Sequence, residues 1–241
     1  MSDYNFKDKI VLITGASRGI GAGLALAFAE KKARIVINFL SSKKEAQILS
    51  KKIKNLGTDF LLVKADISYR KEVEKVLDSV LKKFGRIDIL INNAGIVTGS
   101  SDWRKISEKD WRRTLDVNLK GVFECCRAFG RIMLKQKYGK IVNISSLRGI
   151  FGGSEVIAYA ASKAGVENLT KSFAKALAPF INVNCLTLGR INLGMGCALK
   201  NRGDKNVRKI ENVVNKIFFL VSDKSKHITG QTLFLDGRKS L

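Results

Sequence analysis

Short apolar runs alternate with amphipathic segments along the whole chain, and this alternation restricts the possible folds more than any other feature. The apolar runs predict strands at Lys9–Thr14, Arg34–Phe39, Phe60–Ala65, Ile87–Asn92, Lys140–Ser145, Asn182–Leu188 and Thr232–Asp236. The segments between them predict helices at Ile20–Lys31, Lys43–Leu56, Arg70–Phe84, Glu108–Lys135 (one long helix or a bent pair), Tyr159–Leu177 and Asn212–Leu220. Continuous apolar strands that alternate with helices are typical of a parallel sheet covered on both faces. We therefore expect an α/β fold with a doubly wound parallel sheet, as a single domain over residues 1–241.

Composition excludes several classes of protein. The chain has 241 residues, of which 45% are hydrophobic, and this fits a globular protein with a large core. The longest apolar runs, Ile10–Ile13 and Ile217–Val221, are too short to span a bilayer. The polar N-terminus has no apolar signal-peptide core. We therefore expect a cytoplasmic protein that does not associate with membranes.

Cysteine and histidine usage argues against two kinds of catalytic site. The chain has four cysteines in no C-x-x-C pair and a single histidine, His227. A zinc site needs several such ligands, and a Ser-His-Asp or Cys-His hydrolase needs a histidine near its nucleophile. We predict no metal site.

The charge is strongly basic. Forty-four Lys and Arg residues against 21 Asp and Glu residues give a net charge of +23. Such a field attracts polyanions, so a non-catalytic protein that holds RNA or DNA is one alternative. The lysines are scattered from end to end without a basic tail or block, which argues against a dedicated nucleic-acid surface.

A glycine-rich turn follows the first predicted strand directly and opens a helix. It reads T-G-A-S-R-G-I-G from Thr14 to Gly21. Gly15, Gly19 and Gly21 allow the backbone to turn tightly and approach a pyrophosphate at the helix N-terminus. The spacing differs from G-x-G-x-x-G, but the strand-turn-helix context predicts a dinucleotide site of Rossmann type.

The second strand indicates which dinucleotide is bound. Dinucleotide sites usually carry an acid about 20 residues after the glycines, which binds the adenine ribose hydroxyls. Here the strand ends Asn38-Phe39-Leu40 and is followed by Ser41, Ser42 and Lys43, while Arg18 lies inside the glycine turn. A missing acid and a nearby arginine suit a 2′-phosphate, so we predict NADP(H) over NAD(H).

Tyr159 and Lys163 are the candidate catalytic pair. A spacing of four residues places both side chains on one helix face, and Ser146 lies 13 positions upstream on another segment. A lysine ammonium in a partly dry site favours the phenolate, so the pattern predicts a lowered tyrosine pKa. Ser146 would offer its hydroxyl to the same substrate oxygen.

Taken in order, these motifs resemble those of the short-chain dehydrogenases/reductases over nearly the whole chain. The matching segments are Thr14–Gly21, Asp66 after the third strand, N-N-A-G at Asn92–Gly95, Asn118 in D-V-N-L, Ser146 with Tyr159 and Lys163, and I-T-G-Q-T at Ile228–Thr232 with Asp236 and Gly237. The overall likeness is greatest to members that resemble 3-oxoacyl-[acyl-carrier-protein] reductases.

The resemblance implies an enzyme that transfers a hydride between a nicotinamide and a carbonyl group. Tyr159 would donate the proton, Ser146 would bind the substrate oxygen, and Lys163 would lower the tyrosine pKa and hold the nicotinamide ribose. Asn118 would position a water that links Lys163 to solvent. The residues implied to bind the cofactor are Gly15, Ser17, Arg18, Gly19, Ile20, Gly21, Asn38, Ser41, Asp66, Ile67, Asn92, Ala94, Gly95, Tyr159, Lys163 and Gly189.

The sequence departs from the family after the sixth strand. Pro-Gly is usual there, whereas this chain has Leu188-Gly189. The segment that would form the substrate lid, residues 190–212, is short and rich in glycine and basic residues: Gly194, Gly196, Lys200, Arg202, Gly203 and Lys205. A short lid suits a large or tethered substrate, but it also fits an inactive site.

Two substrate classes share this chemistry. The first is a 3-oxoacyl thioester on an acidic acyl carrier protein, with a docking patch at Arg127, Arg131, Lys135, Lys137 and Lys140. The second is another small carbonyl compound, such as a sugar, polyol, steroid, pteridine or polyketide. The resemblance also implies a homodimer or homotetramer packed through the helices that contain Glu108 and Tyr159.

Overall fold

A computed structural model describes residues 4–192 and 208–237. The strands are β1 Ile10–Ile13, β2 Arg34–Phe39, β3 Phe60–Lys64, β4 Ile89–Asn92, β5 Gly139–Ser146, β6 Ile181–Leu188, β7 Ile191–Asn192, β8 Arg208–Lys209 and β9 Thr232–Leu235. The helices are α1 Gly19–Glu30, α2 Lys43–Asn55, α3 Arg70–Phe84, α4 Glu108–Leu115, α5 Gly121–Gln136, α6 Arg148–Phe151, α7 Ile157–Leu177 and α8 Ile210–Val221. Single-turn 3₁₀ helices lie at Trp103–Lys105 and Asp223–Ser225.

Seven strands form one parallel sheet in the order β3-β2-β1-β4-β5-β6-β9. Strand order runs outward from β1 to β3 in one direction and from β4 to β9 in the other, so the sheet is doubly wound. This confirms the predicted Rossmann-type α/β fold in a single domain. The carboxyl ends of all seven strands lie on one edge, where such sheets bind ligands.

Two apolar layers hold the helices on the sheet. In β1, Val11 and Ile13 face the layer that contains α1, α2 and α8, while Ile10 and Leu12 face the layer that contains α3, α5 and α7. Successive residues of a strand point to opposite faces, and both faces here are covered. This explains why β1, β2 and β4 read as continuous apolar runs instead of alternating ones.

The long helix predicted at Glu108–Lys135 is a bent pair. Between α4 and α5, residues Asp116–Lys120 form a π-helical turn, with Asn118 at its centre. Such turns are frequent at functional sites because they reorient side chains within a helix. Gly121 begins α5 against the Ile67 side chain, and a Cβ at Gly121 would lie 2.9 Å from Ile67 Cδ1.

The lid predicted at residues 190–212 is described only in part. Ile191–Asn192 pairs in parallel with Arg208–Lys209, and α8 begins at Ile210, two residues before its predicted start. The glycines and basic residues named in the lid, from Gly194 to Lys205, lie outside the described residues. In the part of the chain that the structure describes, no helix has both the length and the apolar character needed to cross a membrane.

Candidate active site

The site lies where the strand order reverses, between β1 and β4. The two turns that leave these strands are joined directly: Thr14 Oγ1 accepts from the backbone N–H groups of Asn93 and Ala94, each at 3.0 Å. Asn93 Nδ2 in turn donates to the Thr14 carbonyl at 2.8 Å. These bonds hold the glycine turn beside the N-N-A-G segment.

The glycine turn needs its glycines for conformation and for packing. Gly15 and Gly19 have φ of +61° and +59°, a region that side chains disfavour. A Cβ at Gly15 would lie 2.9 Å from Ala94 Cα, and one at Gly21 would lie 2.7 Å from Asn93 Nδ2. Helix α1 then begins at Gly19 without a side-chain cap or an acidic residue in its first turn. Its first N–H groups are therefore available to an anion.

A first cavity of about 360 Å³ opens at this edge of the sheet. Its walls come from the glycine turn, the ends of β2 and β3, the N-N-A-G segment and α4. They include these predicted cofactor residues: Gly15, Ser17, Arg18, Gly19, Ile20, Asn38, Ser41, Asp66, Ile67, Ala94 and Gly95.

The end of β2 carries no carboxylate into this cavity. Asn38 is buried, and its amide is used by the backbone: Oδ1 accepts from Gly15 N at 3.4 Å, and Nδ2 donates to the Ala65 carbonyl at 3.1 Å. Ser41 and Ser42 line the cavity, whereas Lys43 starts α2 outside its lining. Arg18 is exposed and lines the same cavity. The cavity thus offers hydroxyls after β2 and a guanidinium from the glycine turn.

Asp66 supplies an ionised carboxylate after β3. Its Oδ1 accepts from Ser68 N at 3.0 Å and from Ser68 Oγ at 2.7 Å, and its Oδ2 accepts from Arg113 at 2.8 Å. Burial raises the pKa of Asp66, but the bonds from Ser68 and the ion pair with Arg113 outweigh that effect and lower it overall. The residue is therefore a hydrogen-bond acceptor at neutral pH.

A second cavity of about 380 Å³ adjoins the first. The two share Ile20, Asn93, Gly95 and Ile96 as walls. The second cavity brings together Ser146 from the end of β5, Tyr159 and Lys163 from α7, and Gly189 from the turn after β6. The predicted proton-transfer residues and the glycine turn thus line two cavities that share walls.

Lys163 is buried behind Tyr159. Its Nζ donates to the Ile144 carbonyl at 2.8 Å and lies 5.7 Å from the Tyr159 ring centroid. Ser145 Oγ also donates to the Lys163 carbonyl, at 3.1 Å, which ties α7 to β5. Burial lowers the pKa of Lys163 to about 8.

The pKa of Tyr159 differs from the prediction. Burial raises it above the ordinary value of a phenol, and the hydrogen bond with Ser146 only partly offsets that rise. The lysine ammonium is directed to the Ile144 carbonyl rather than to the phenol oxygen, which accounts for the difference. A neutral phenol is the form that donates a proton.

Asn118 lies next to the two cavities and not in their lining. Its Oδ1 accepts from Ile96 N at 2.8 Å, while its Nδ2 donates to the Ile96 carbonyl at 2.9 Å and to Ser162 Oγ at 3.1 Å. A Cβ at Gly95 would lie 3.5 Å from both Asn118 Oδ1 and Lys163 Nζ, so these two polar atoms face the same point. The side chain therefore anchors the cavity wall at Ile96 beside Lys163.

Two further predicted residues also lie behind the walls. Gly21 is buried in the glycine turn, and Asn92 is buried in β4, where its Nδ2 donates to Asn143 Oδ1 at 2.8 Å. Sequence reasoning includes Asn93, which joins the two turns, only as part of the N-N-A-G segment, and it missed Arg113, which lines the first cavity. The sequence signal that could have identified Arg113 is its spacing of four residues from Val117 on a helix, since Val117 lines the same cavity.

The donor set fits a nicotinamide dinucleotide. The uncapped start of α1 suits a pyrophosphate, and the ionised Asp66 suits an amine at one end of the space. Tyr159 and Lys163 would hold the nicotinamide half at the other end. The walls shared by the two cavities allow one extended ligand to reach both ends.

Comparisons with known proteins agree with this geometry. The short chain dehydrogenase family model matches residues 9–203. The chain is 38% identical to the 3-oxoacyl-[acyl-carrier-protein] reductase FabG of Staphylococcus aureus, over 95% of this chain and 97% of the relative. It is also 38% identical to the 3-oxoacyl-[acyl-carrier-protein] reductase of Synechocystis sp., over 95% of this chain and 96% of that relative.

Solved structures show the same architecture. An NAD⁺-bound xylitol dehydrogenase superposes with a TM-score of 0.89 at 28% identity, over 96% of this chain and 99% of that one. A levodione reductase superposes with a TM-score of 0.90 at 26% identity, over 98% and 99% of the two chains. The chain therefore belongs to the short chain dehydrogenase family and is an oxidoreductase of the type that uses a nicotinamide cofactor.

Proposed function

We propose that the protein is an NADPH-dependent reductase that converts a 3-oxoacyl thioester on acyl carrier protein to the 3-hydroxyacyl form. The observation that carries this proposal is the second cavity, which Ser146, Tyr159 and Lys163 line and which shares walls with the proposed dinucleotide cavity. The substrate class is supported by relatives at 38% identity that are named 3-oxoacyl-[acyl-carrier-protein] reductases.

The mechanism follows from the protonation states of the site. When bound, the nicotinamide supplies the hydride that adds to the carbonyl carbon. The Tyr159 O–H bond then breaks as its proton moves to the substrate oxygen, and Ser146 donates a hydrogen bond to the same oxygen. The Lys163 ammonium stabilises the phenolate that remains. A raised Tyr159 pKa keeps the phenol protonated at neutral pH, so the resting site is set for reduction.

The preference for NADPH is inferred from the end of β2. A carboxylate at this place would repel a 2′-phosphate, whereas the Ser41 and Ser42 hydroxyls and the Arg18 guanidinium attract one. Arg18 takes part in no ion pair among the described residues, so its charge is available to a ligand.

The predicted docking patch for the carrier protein needs correction. Lys140 is 4% exposed and donates to Asn182 Oδ1, while Arg127 and Arg131 are ion-paired with Glu124 and Glu74. Lys140 also lies at the amino end of β5, about 20 Å along the strand from Ser146 at about 3.3 Å per residue. Lys140 therefore does not belong to the proposed patch, whereas Lys135 and Lys137 are exposed and stay in it.

A second candidate substrate is a small ketone or polyol. Its support is the close structural similarity to a xylitol dehydrogenase and a levodione reductase. Both substrate classes use the same proton donor and the same hydride transfer. The choice between them must therefore depend on the residues around the second cavity.

A homodimer or homotetramer is also proposed, packed through α4, α5 and α7. Its support is the apolar surface of these helices: Phe123 is 39% exposed and Trp111 is 38% exposed. Phe123 also contacts Phe173 of α7, with ring centroids 5.9 Å apart, so the apolar surface extends across two helices.

The test is a substrate and cofactor comparison on the purified protein. Oxidation of NADPH and of NADH is followed with an acetoacetyl thioester, carrier-bound and free, beside a panel of ketones and polyols. We expect the highest kcat/KM with NADPH and the carrier-bound thioester. Activity on a panel ketone with none on either thioester would replace the first candidate by the second, and equal use of NADH would overturn the cofactor preference.

A further inference from the structure

Arg113 lines the first cavity and bonds two residues of the loop after β3. Its Nη1 donates to Ser68 Oγ at 2.9 Å, and its Nη2 donates to Asp66 Oδ2 at 2.8 Å. The side chains of Arg113 and Asp66 are 34% and 16% exposed, so the pair is largely shielded from water. The guanidinium thus links α4 to the loop after β3.

These bonds leave Asp66 with few ways to meet a ligand. A carboxylate oxygen accepts about two hydrogen bonds. Oδ1 already accepts two, both from Ser68, while Oδ2 accepts one from Arg113. Asp66, which lines the first cavity, therefore keeps one open hydrogen-bond acceptor position, on Oδ2.

We propose that Arg113 is a positioning residue that holds Asp66 so that Oδ2 accepts a hydrogen bond from the exocyclic amine of adenine, and that it thereby selects a 6-aminopurine over a 6-oxopurine dinucleotide. This inference rests on the proposed nicotinamide dinucleotide site. The family resemblance already implies a contact between Asp66 and adenine, so the new element is the role of Arg113 in holding that carboxylate.

The selectivity follows from charge and geometry. An ionised carboxylate only accepts hydrogen bonds, so it attracts an N–H donor and repels a carbonyl oxygen at the same place. The planar guanidinium fork donates to the Asp66 carboxylate and to the Ser68 hydroxyl at once, and that hydroxyl itself donates to Asp66 Oδ1. A lysine ammonium does not reproduce this planar fork. Without Arg113, Asp66 would keep only its bonds to Ser68, and its Oδ2 would lose its fixed direction.

Direct binding measurements test the inference. The dissociation constants of NADPH and of its hypoxanthine analogue, which carries an oxygen in place of the 6-amino group, are measured by calorimetry for the wild type, Arg113→Ala and Arg113→Lys. We expect the wild type to prefer NADPH by about tenfold, or about 1.4 kcal/mol. Arg113→Ala should lose most of this preference, and Arg113→Lys should keep part of it.

Arg112→Ala is the matched control. Arg112 precedes Arg113 on the same helix, is exposed, pairs with Glu108 and does not line the first cavity. Its loss removes the same charge and should leave the ratio of the two dissociation constants unchanged. Because each ratio is measured within one protein, a general loss of stability does not alter it.

The outcomes separate the two proposals. A wild type that binds NADPH and an Arg113→Ala variant that weakens both dinucleotides equally would overturn the positioning role of Arg113 alone. A wild type that binds neither dinucleotide would overturn the proposed function, and the role of Arg113 with it.

Discussion

Lys163 is the residue whose charge the fold disfavours most clearly within the site. It is 3% exposed, its Nζ has one hydrogen-bond partner in the Ile144 carbonyl, and burial lowers its pKa to about 8. In the proposed mechanism, this charge acts on Tyr159 at the moment of proton transfer. Stability and catalysis therefore make opposite demands on one side chain.

The first prediction concerns the pH dependence of reduction. The Lys163 ammonium is present below its pKa and is lost as the pH rises through about 8. Since the ammonium stabilises the phenolate left by Tyr159, kcat for NADPH-dependent reduction should fall across that range. A pH–rate profile at saturating substrate measures this. A rate that stays constant until the pH exceeds about 10, where an ordinary phenol titrates, would contradict the role given to the lysine.

A second prediction concerns the stability cost of the same charge. The pKa of Lys163 is lower in the folded than in the unfolded chain, so the cost is full below about pH 8 and disappears above the unfolded value of 10.5. Lys163→Met should therefore raise the free energy of unfolding at pH 7 by about 2 kcal/mol, after allowing for the lost bond to Ile144.

Urea unfolding at pH 7 and at pH 10 measures this effect. The gain should shrink at the higher pH, while Lys171→Met, at an exposed position of the same helix, should change little at either. A Lys163→Met variant that is less stable than the wild type at pH 7 would refute the argument.

At the scale of elements, the turn between β1 and α1 packs tightly against the N-N-A-G segment. Gly15 combines a positive φ with a close approach to Ala94. Gly57 has a similar φ of +69°, but no atom of the described residues lies within 4 Å of the point that a Cβ would occupy there. The two glycines therefore separate the cost of backbone conformation from the cost of a steric clash.

Alanine substitution at both glycines gives the third prediction. Gly57→Ala should lower stability by about 1 kcal/mol, the cost of a left-handed residue. Gly15→Ala should lower it by about 2 to 4 kcal/mol, because overpacking adds about 1 to 3 kcal/mol, and should also weaken NADPH binding. Thermal unfolding and calorimetric titration measure the two effects. Equal losses at the two positions would show that the contact with Ala94 is not tight.

The helices and strands show how far the sequence determines the site. The apolar runs and the glycine turn predict the sheet and the place of the cofactor, because period and turn chemistry are local properties. The direction of Lys163 Nζ toward Ile144 is not local, since it depends on how α7 packs on β5. For that reason the motif predicts which side chains meet but predicts the shift of the Tyr159 pKa in the wrong direction.

Arg112, Arg113 and Lys140 show the same limit of prediction from the sequence. Arg112 and Arg113 are adjacent and equally polar in the sequence, and only the packing of α4 separates an exposed ion pair from a cavity wall. Lys140 reads as a surface residue, yet it is buried at the amino end of β5. Such positions depend on tertiary contacts that periodicity does not encode.

At the scale of the whole molecule, the chain has a net charge of +23, whereas the group proposed to react is a neutral carbonyl. Long-range electrostatic attraction speeds the encounter with an acidic partner, but it does little for the binding of a small uncharged ligand. For the proposed carrier-bound substrate, the charge therefore affects how the carrier protein arrives rather than the chemistry at Tyr159.

Salt dependence gives the fourth prediction. For a carrier-bound 3-oxoacyl thioester, kcat/KM should fall about fivefold or more between about 0.05 M and 0.5 M NaCl, because salt screens exposed charges. For a short uncharged thioester of the same acyl group it should change little. Steady-state rates with the two substrates in the same buffers provide the comparison. Parallel salt dependence for both would mean that the basic surface does not recruit the carrier.

The measurement that tests the central claim most directly is the effect of Tyr159→Phe on turnover and on cofactor binding together. The substitution removes one hydroxyl from the second cavity and leaves the walls of the first cavity unchanged. We predict that kcat for reduction falls by about a thousandfold or more, since both the proton and its general-acid path are lost, while the dissociation constant of NADPH changes less than about threefold. Near-normal turnover in this variant would contradict the account of Tyr159 as the proton donor.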